Sequence, residues 1–192
     1  MKQATQLILF LASVSLVSAN PVEDRYSRVQ PGDSSLLKMT SMQEMLQQIV
    51  NVIGVKENFE LKEANVLNIE ATLSDKKRYI VYNPDFITTV NTVTKNKWSV
   101  MWLLAHEIGH HVNGHTSGRT GSNLEFELEA DEFAGYILHK LGATLGESQN
   151  VMFFIARAEA SKTHPGRSSR LLAIEKGWIK AGTSEEKTTT TN

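Results

Sequence analysis

Cysteine is absent from all 192 residues. Its absence excludes disulfides, thiolate metal ligands and a lipid carried on an N-terminal Cys, so any metal site must be built from His and carboxylate. There is also no surplus of charge of either sign: 20 Lys and Arg stand against 21 Asp and Glu, a formal net charge of −1. Without a basic field to hold a phosphate backbone, nucleic-acid binding is not expected. Long apolar runs are missing too. A membrane-spanning helix needs roughly eighteen uninterrupted apolar residues, and the apolar stretch from Trp98 to Ile108 is cut by His106 and Glu107. What remains is ordinary globular composition, 41% hydrophobic and 21% charged, in a length that suits one domain.

The N-terminal end reads as an address rather than structure. Lys2 supplies a positive start, Leu7 to Val17 is apolar and uncharged, and Val17-Ser18-Ala19 has the form of a cleavage site. An apolar run of about eleven residues is too short to cross a bilayer about 30 Å thick as a helix. Residues 1–19 are therefore expected to be a cleavable export signal, with a mature chain that is periplasmic or secreted and carries no integral membrane span. Residues 20–38, with Pro21, Pro31 and Gly32 and no periodicity, read as a mobile lead-in. The folded domain is expected over 39–180. Thr183 to Asn192 has no apolar residue to bury, so 181–192 is expected to be a disordered tail.

Within the domain, Met39, Met42, Met45, Leu46, Ile49, Val50 and Ile53 recur at helical spacing, bounded by Thr40 or Ser41 and by Gly54. The Met stripe is core packing. Val66–Leu73 and Arg78–Tyr82 are rich in β-branched and aromatic residues, and Ser74-Asp75-Lys76-Lys77 between them predicts a hairpin turn. Helices are predicted from Asn83-Pro84-Asp85 to about Val93 and from Trp98 to His111, the latter closed by Asn113-Gly114. Ser122 and Glu125 have capping-box spacing ahead of a helix to about Leu141, and Thr144 and Glu147 repeat that spacing ahead of one from Leu145 to Ala160. A short helix to about Lys176 follows Thr163-His164-Pro165.

One of these helices carries chemistry. His106-Glu107-Ile108-Gly109-His110 is an H-E-x-x-H pattern preceded by Val100-Met101-Trp102-Leu103-Leu104-Ala105. Residues four apart share a helical face, so both imidazoles can reach one ion at about 2.0–2.1 Å, with Glu107 beside them toward the water side. Unpaired polar side chains on a buried helix cost around 1–3 kcal/mol each, and a metal gives the imidazoles a partner. A solvated helix face carrying the pattern by chance would have polar flanks, and these flanks are apolar. Gly109, a poor helix former, leaves room for close packing or for substrate.

A hydrolytic zinc site needs a third protein ligand and an open position for a water whose pKa falls to about 7 on the metal. Glu125, Glu127, Glu129 and Glu132 compete for the third place. Glu127 and Asp131, four apart, share a face that also carries Ala134 and Leu138. One could ligate while the other accepts a hydrogen bond from a ligand imidazole. That pairing selects Glu127 as ligand and Asp131 as its support.

These residues resemble a family, the gluzincin metallopeptidases that include the heat-shock protease HtpX and the CAAX prenyl proteases. Glu127-Leu128-Glu129-Ala130-Asp131-Glu132-Phe133-Ala134 is similar to that family's E-x-x-A-D-x-x-A segment, and Thr163-His164-Pro165 with Arg170 to its T-H-P-x-x-x-x-R segment, in the same order after H-E-x-x-H. The resemblance covers about half the chain, roughly from Ile80 to Ile174. It implies a mainly helical α+β fold, a zincin-like minimal domain with a small sheet or hairpin packed on the H-E-x-x-H helix. It implies zinc held by His106, His110 and Glu127, Glu107 as base, and Asp131 behind the site. His164 and Arg170 would lie at the mouth as catalytic residues. His164 could instead only start a helix with Pro165 at its first position, and Arg170 could instead be a buried partner of Asp131. Many members span membranes several times, whereas this chain looks like the bare catalytic domain. His111, His115 and His139 have no role in the pattern and read as surface residues.

The expected activity is an exported zinc endopeptidase acting on a protein or peptide substrate that pairs with an edge of the small sheet, at Val66–Leu73 or Arg78–Tyr82. The alternative is a latent zinc-binding chaperone or interaction module of the same fold, against which the intact Glu107 argues.

Overall fold

The structure, a computed structural model, describes residues 41–54, 58–116 and 123–189, with side chains through residue 183. The export signal, the lead-in and Ser122 lie outside the described residues. The order is α1 (Met42–Ile53), β1 (Phe59–Glu63), β2 (Ile69–Ser74), β3 (Lys77–Tyr82), α2 (Pro84–Thr94), α3 (Lys97–Val112), α4 (Leu124–Lys140), α5 (Leu145–Gln149), α6 (Met152–Ile155) and α7 (Arg167–Thr189). This is a mainly helical α+β protein with one small sheet, as expected.

Local chemistry sets most boundaries. Ser41 and Glu44 form a reciprocal capping box at the start of α1, and Gly54 closes it at φ 72°, a left-handed position where glycine has no side chain to clash. Met45, Leu46, Ile49 and Val50 are the buried stripe. The hairpin turns through Asp75 and Lys76 at φ 49° and 64°, the two-residue geometry that follows strand twist. Asn83 caps α2 by accepting from the Asp85 and Phe86 amides.

The sheet has three strands, in the order β1-β3-β2, with β1 parallel and β2 antiparallel to β3. β1 was not read from the sequence: Phe59-Glu60-Leu61-Lys62-Glu63 is short and mostly charged, and only Phe59 is buried. Consequently β3 is central, and among the described residues β2 is the free edge on the side of α3. That settles which of the two hairpin strands has an open edge.

α3 is buried on every side from Trp98 to His111, the condition of a helix at the centre of a core. The sheet lies on it through Phe59, whose ring meets His111 at 5.5 Å, and through the His111 Nε2 contact to the Tyr79 carbonyl at 2.9 Å. On its other side α4 packs closely. A Cβ at Gly109 would come within 3.2 Å of Ala130 Cα and 3.1 Å of Phe133 Cδ1, so Gly109 serves helix contact. α4 in turn packs on α7 along its length.

Three boundaries differ from expectation. α4 is capped by Asn123, whose side chain accepts from the Glu125 amide. The helix expected from Leu145 to Ala160 is two short ones, because the chain turns extended at Ala156 and that carbonyl is taken by the Arg167 guanidinium at 2.8 and 3.0 Å. α7 starts at Arg167, two residues after Pro165, and runs to Thr189 instead of ending near Lys176. Ala181, assigned to the disordered tail, is fully buried, and the following Glu-Glu-Lys run consists of good helix formers. No described helix is long and apolar enough to cross a membrane.

Candidate metal centre

The site forms where α3 and α4 cross. His106 and His110, one turn apart on α3, bring their Nε2 atoms to 3.1 Å from each other. Glu127, in the first turn of α4, places Oε2 3.6 Å from His106 Nε2 and Oε1 3.5 Å from His110 Nε2. All three are buried, and their ligand atoms lie within 4.8 Å of one another. The three expected ligands are thus brought together, and they could hold a metal ion.

The donor set itself asks for a cation. Two imidazole nitrogens and a carboxylate converge away from water, and buried lone pairs without a positive partner are costly. Burial opposes charge on His106, yet Asp131 and Glu127 outweigh it and raise its pKa to about 9. Burial likewise raises Glu127, but His106, His110 and Arg170 overcome it and hold the carboxyl at about 2. His110 is lowered to about 3 by burial and by His106. The two carboxylates thus favour positive charge among the three side chains, a role an ion could fill.

Asp131 lies behind His106 as expected. Its Oδ1 is 3.0 Å from His106 Nδ1, an approach close enough for a hydrogen bond but too bent to count as one, since Nδ1 has no partner of good angle. Arg170 clamps Asp131 through two bonds of 2.7 Å, Nε to Oδ2 and Nη2 to Oδ1. Its guanidinium, 5.4 Å from the Trp102 ring centroid, is 4.0 Å from Glu127 Oε2. Of the two readings of Arg170, the buried partner of Asp131 is the one observed; the guanidinium does not stand open at a mouth. Trp102 also stacks on His106, at 4.8 Å and 29°.

Glu107 reaches the sheet from beside the ligand pair. Its Oε2 accepts from the Ala71 amide at 2.7 Å, and burial pushes its carboxyl up to about 7. Because Ala71 turns its N–H out of the sheet, Ile69 and Leu73 also present their backbone groups at the open edge of β2. His164 sits at the rim, with Nε2 3.7 Å from Glu127 Oε2 and Nδ1 2.8 Å from Thr163 Oγ1. It does not form part of a helix start with Pro165, which precedes α7.

The rival carboxylates are engaged elsewhere. Glu132 pairs with Lys176 at 2.6 Å, Glu125 is exposed, and Glu129 bonds His115 Nε2 at 2.8 Å. The three histidines read as surface residues are not. His111 is buried and bridges α3 to Tyr79 and Thr116. His139 is half-buried, its ring 4.5 Å from that of Trp178. His115 is buried with Nδ1 3.0 Å from His110 Nδ1. Sequence reasoning missed His115 because five residues from His110 is not a helical spacing. The signal was Asn113-Gly114, a helix stop that turns the chain back.

Comparison with protein-family models, with curated proteins and with solved structures finds no match.

Proposed function

We propose that the chain is an exported zinc-dependent endopeptidase of zincin-like build, in which His106, His110 and Glu127 hold the ion and Glu107 is the general base. The observation that carries this reading is Glu107 itself, buried beside the cluster without belonging to it and held by the Ala71 amide. A site that only stores an ion has no need of such a group, whereas hydrolysis through a metal-bound water needs a carboxylate beside the ligands to take its proton.

Zinc bound there would polarise a peptide carbonyl and lower the pKa of water to about 7. Glu107 takes the proton from the attacking water and delivers it to the leaving amine, steadied by the Ala71 amide. Asp131, held by Arg170, fixes His106 from behind. His164 lies where it can donate to the developing oxyanion. Arg170 acts through Asp131 rather than on substrate. An extended peptide adds to the open edge of β2, with Ile69 and Leu73 supplying backbone groups and Ala71 only its carbonyl, since its amide is held by Glu107. Export rests on the character of residues 1–19, and zinc on the two-His, one-Glu donor set.

The test is metal content and cleavage of casein or a quenched peptide by residues 20–192 and by Glu107→Gln. One zinc in each protein, with turnover in wild type and a loss of at least about a hundredfold in the variant, is expected for a general base. Zinc without cleavage in wild type would overturn the peptidase reading in favour of a latent binding module. No zinc would end both.

A further inference from the structure

The H-E-x-x-H pattern and its carboxylate leave one buried titratable side chain at the site unexplained. His115 is carried to the cluster by the turn that ends α3. Gly114 takes φ 76°, and the His115 amide returns to the His110 carbonyl at 2.9 Å. The ring then lies flat on Phe126, 4.2 Å away at 7°, and touches two groups. Its Nδ1 is 3.0 Å from His110 Nδ1, and its Nε2 is 2.8 Å from Glu129 Oε2. Phe126 and Glu129 are three apart on α4 and therefore share a face, so one turn of α4 supplies both the platform and the acceptor.

We infer that His115 and Glu129 are positioning residues that fix the tautomer of His110, an inference that rests on the metal-centre reading above. An ionised carboxylate can only accept, so the 2.8 Å contact puts the proton of His115 on Nε2. With a neutral imidazole at His115, its Nδ1 is then an acceptor, and the 3.0 Å contact places the proton of His110 on Nδ1. That leaves a lone pair on His110 Nε2, the atom facing His106 and Glu127. The chain Glu129–His115–His110 thus presents the second imidazole in its ligating form. Glu129 stands exposed at the outer end and connects the centre to the surface.

The relay is tested by two measurements. The first is zinc affinity by competition with a chromophoric chelator, for wild type, His115→Phe, His115→Gln and Glu129→Ala. His115→Phe keeps a ring on Phe126 but removes both nitrogens, and a 10–100-fold loss of affinity is expected, the usual effect of removing the partner of a ligating His. His115→Gln restores an acceptor and should recover part of it. Glu129→Ala should lose less, because water can accept at the exposed end. The second is the tautomer of His110 in the metal-free chain, read from imidazole nitrogen shifts. Wild type should show the Nδ1-protonated form, and His115→Phe a mixture. Wild-type affinity in both His115→Phe and Glu129→Ala, or an unchanged His110 tautomer in His115→Phe, overturns the relay while leaving the metal centre standing. A wild-type chain that takes up no zinc overturns both. If His115→Phe fails to fold, Glu129→Ala, at an exposed position, carries the test through the same two readouts.

Discussion

A carboxylate with no accessible surface costs several kcal/mol unless its oxygens find charged or polar partners. Asp131 is in that position, and Arg170, 3% exposed, answers it with two 2.7 Å bonds. Neither residue is fit to be buried alone. Asp131→Ala is therefore expected to lower the unfolding free energy of the metal-free protein by about 3–5 kcal/mol, because it strands a buried guanidinium. The double variant Asp131→Leu/Arg170→Met removes both charges and should cost markedly less than the single change. Urea unfolding of the three chains decides this. A double variant as unstable as Asp131→Ala would show that the stability comes from packing around the site and not from the pair. Both variants should also loosen His106, so their zinc affinity falls even where stability is regained.

At the scale of elements, the parts that position the site were legible where local rules and burial agree. The α3 helix was readable because an apolar run interrupted only by His106, Glu107 and His110 admits few explanations. Glu127 with Asp131 was readable because a ligand and its support must share a face. What escaped depends on contacts that cross the chain. β1 exists because its backbone adds to β3, which the charged sequence Glu60 to Glu63 does not announce. His115 belongs to the centre only because α3 stops at Asn113 and turns at Gly114. α7 continues past Lys176 against α4, where Gly177, Trp178 and Gly182 meet Glu132 and His139. A Cβ at Gly177 would collide with the Glu132 backbone carbonyl, and one at Gly135 with that of Ile174, so the two helices meet backbone to backbone. Neither glycine has a positive φ. Gly177→Ala is thus expected to destabilise by about 3 kcal/mol, near the upper end for overpacking, despite the better helix propensity of Ala. Gly146, with nothing within 4 Å of its Cβ position, is the control: Gly146→Ala should be neutral or slightly stabilising. Equal unfolding midpoints for the two alanine variants would contradict the close helix contact.

For the whole molecule, the candidate metal centre lies between elements that are already packed on one another, so an ion there would add to an existing contact. His106 and His110 come from α3, Glu127 from α4, and the supports reach the loop before α4 and the start of α7. An ion that binds only the folded chain adds its binding free energy to folding. At free zinc about a thousandfold above Kd this is about 4 kcal/mol, and for a chain of this size each kcal/mol moves Tm by about 2–4 °C. Removing zinc with a chelator is therefore expected to lower Tm by about 8–16 °C, reversibly on adding zinc back. Calorimetry of variants separates ligand from base. Glu107→Gln keeps the three ligands and should retain the full shift, whereas Glu127→Ala should lose most of it. A Tm indifferent to chelation would mean that the three side chains meet without holding an ion. A shift abolished by Glu107→Gln would make Glu107 a ligand and remove it as the base.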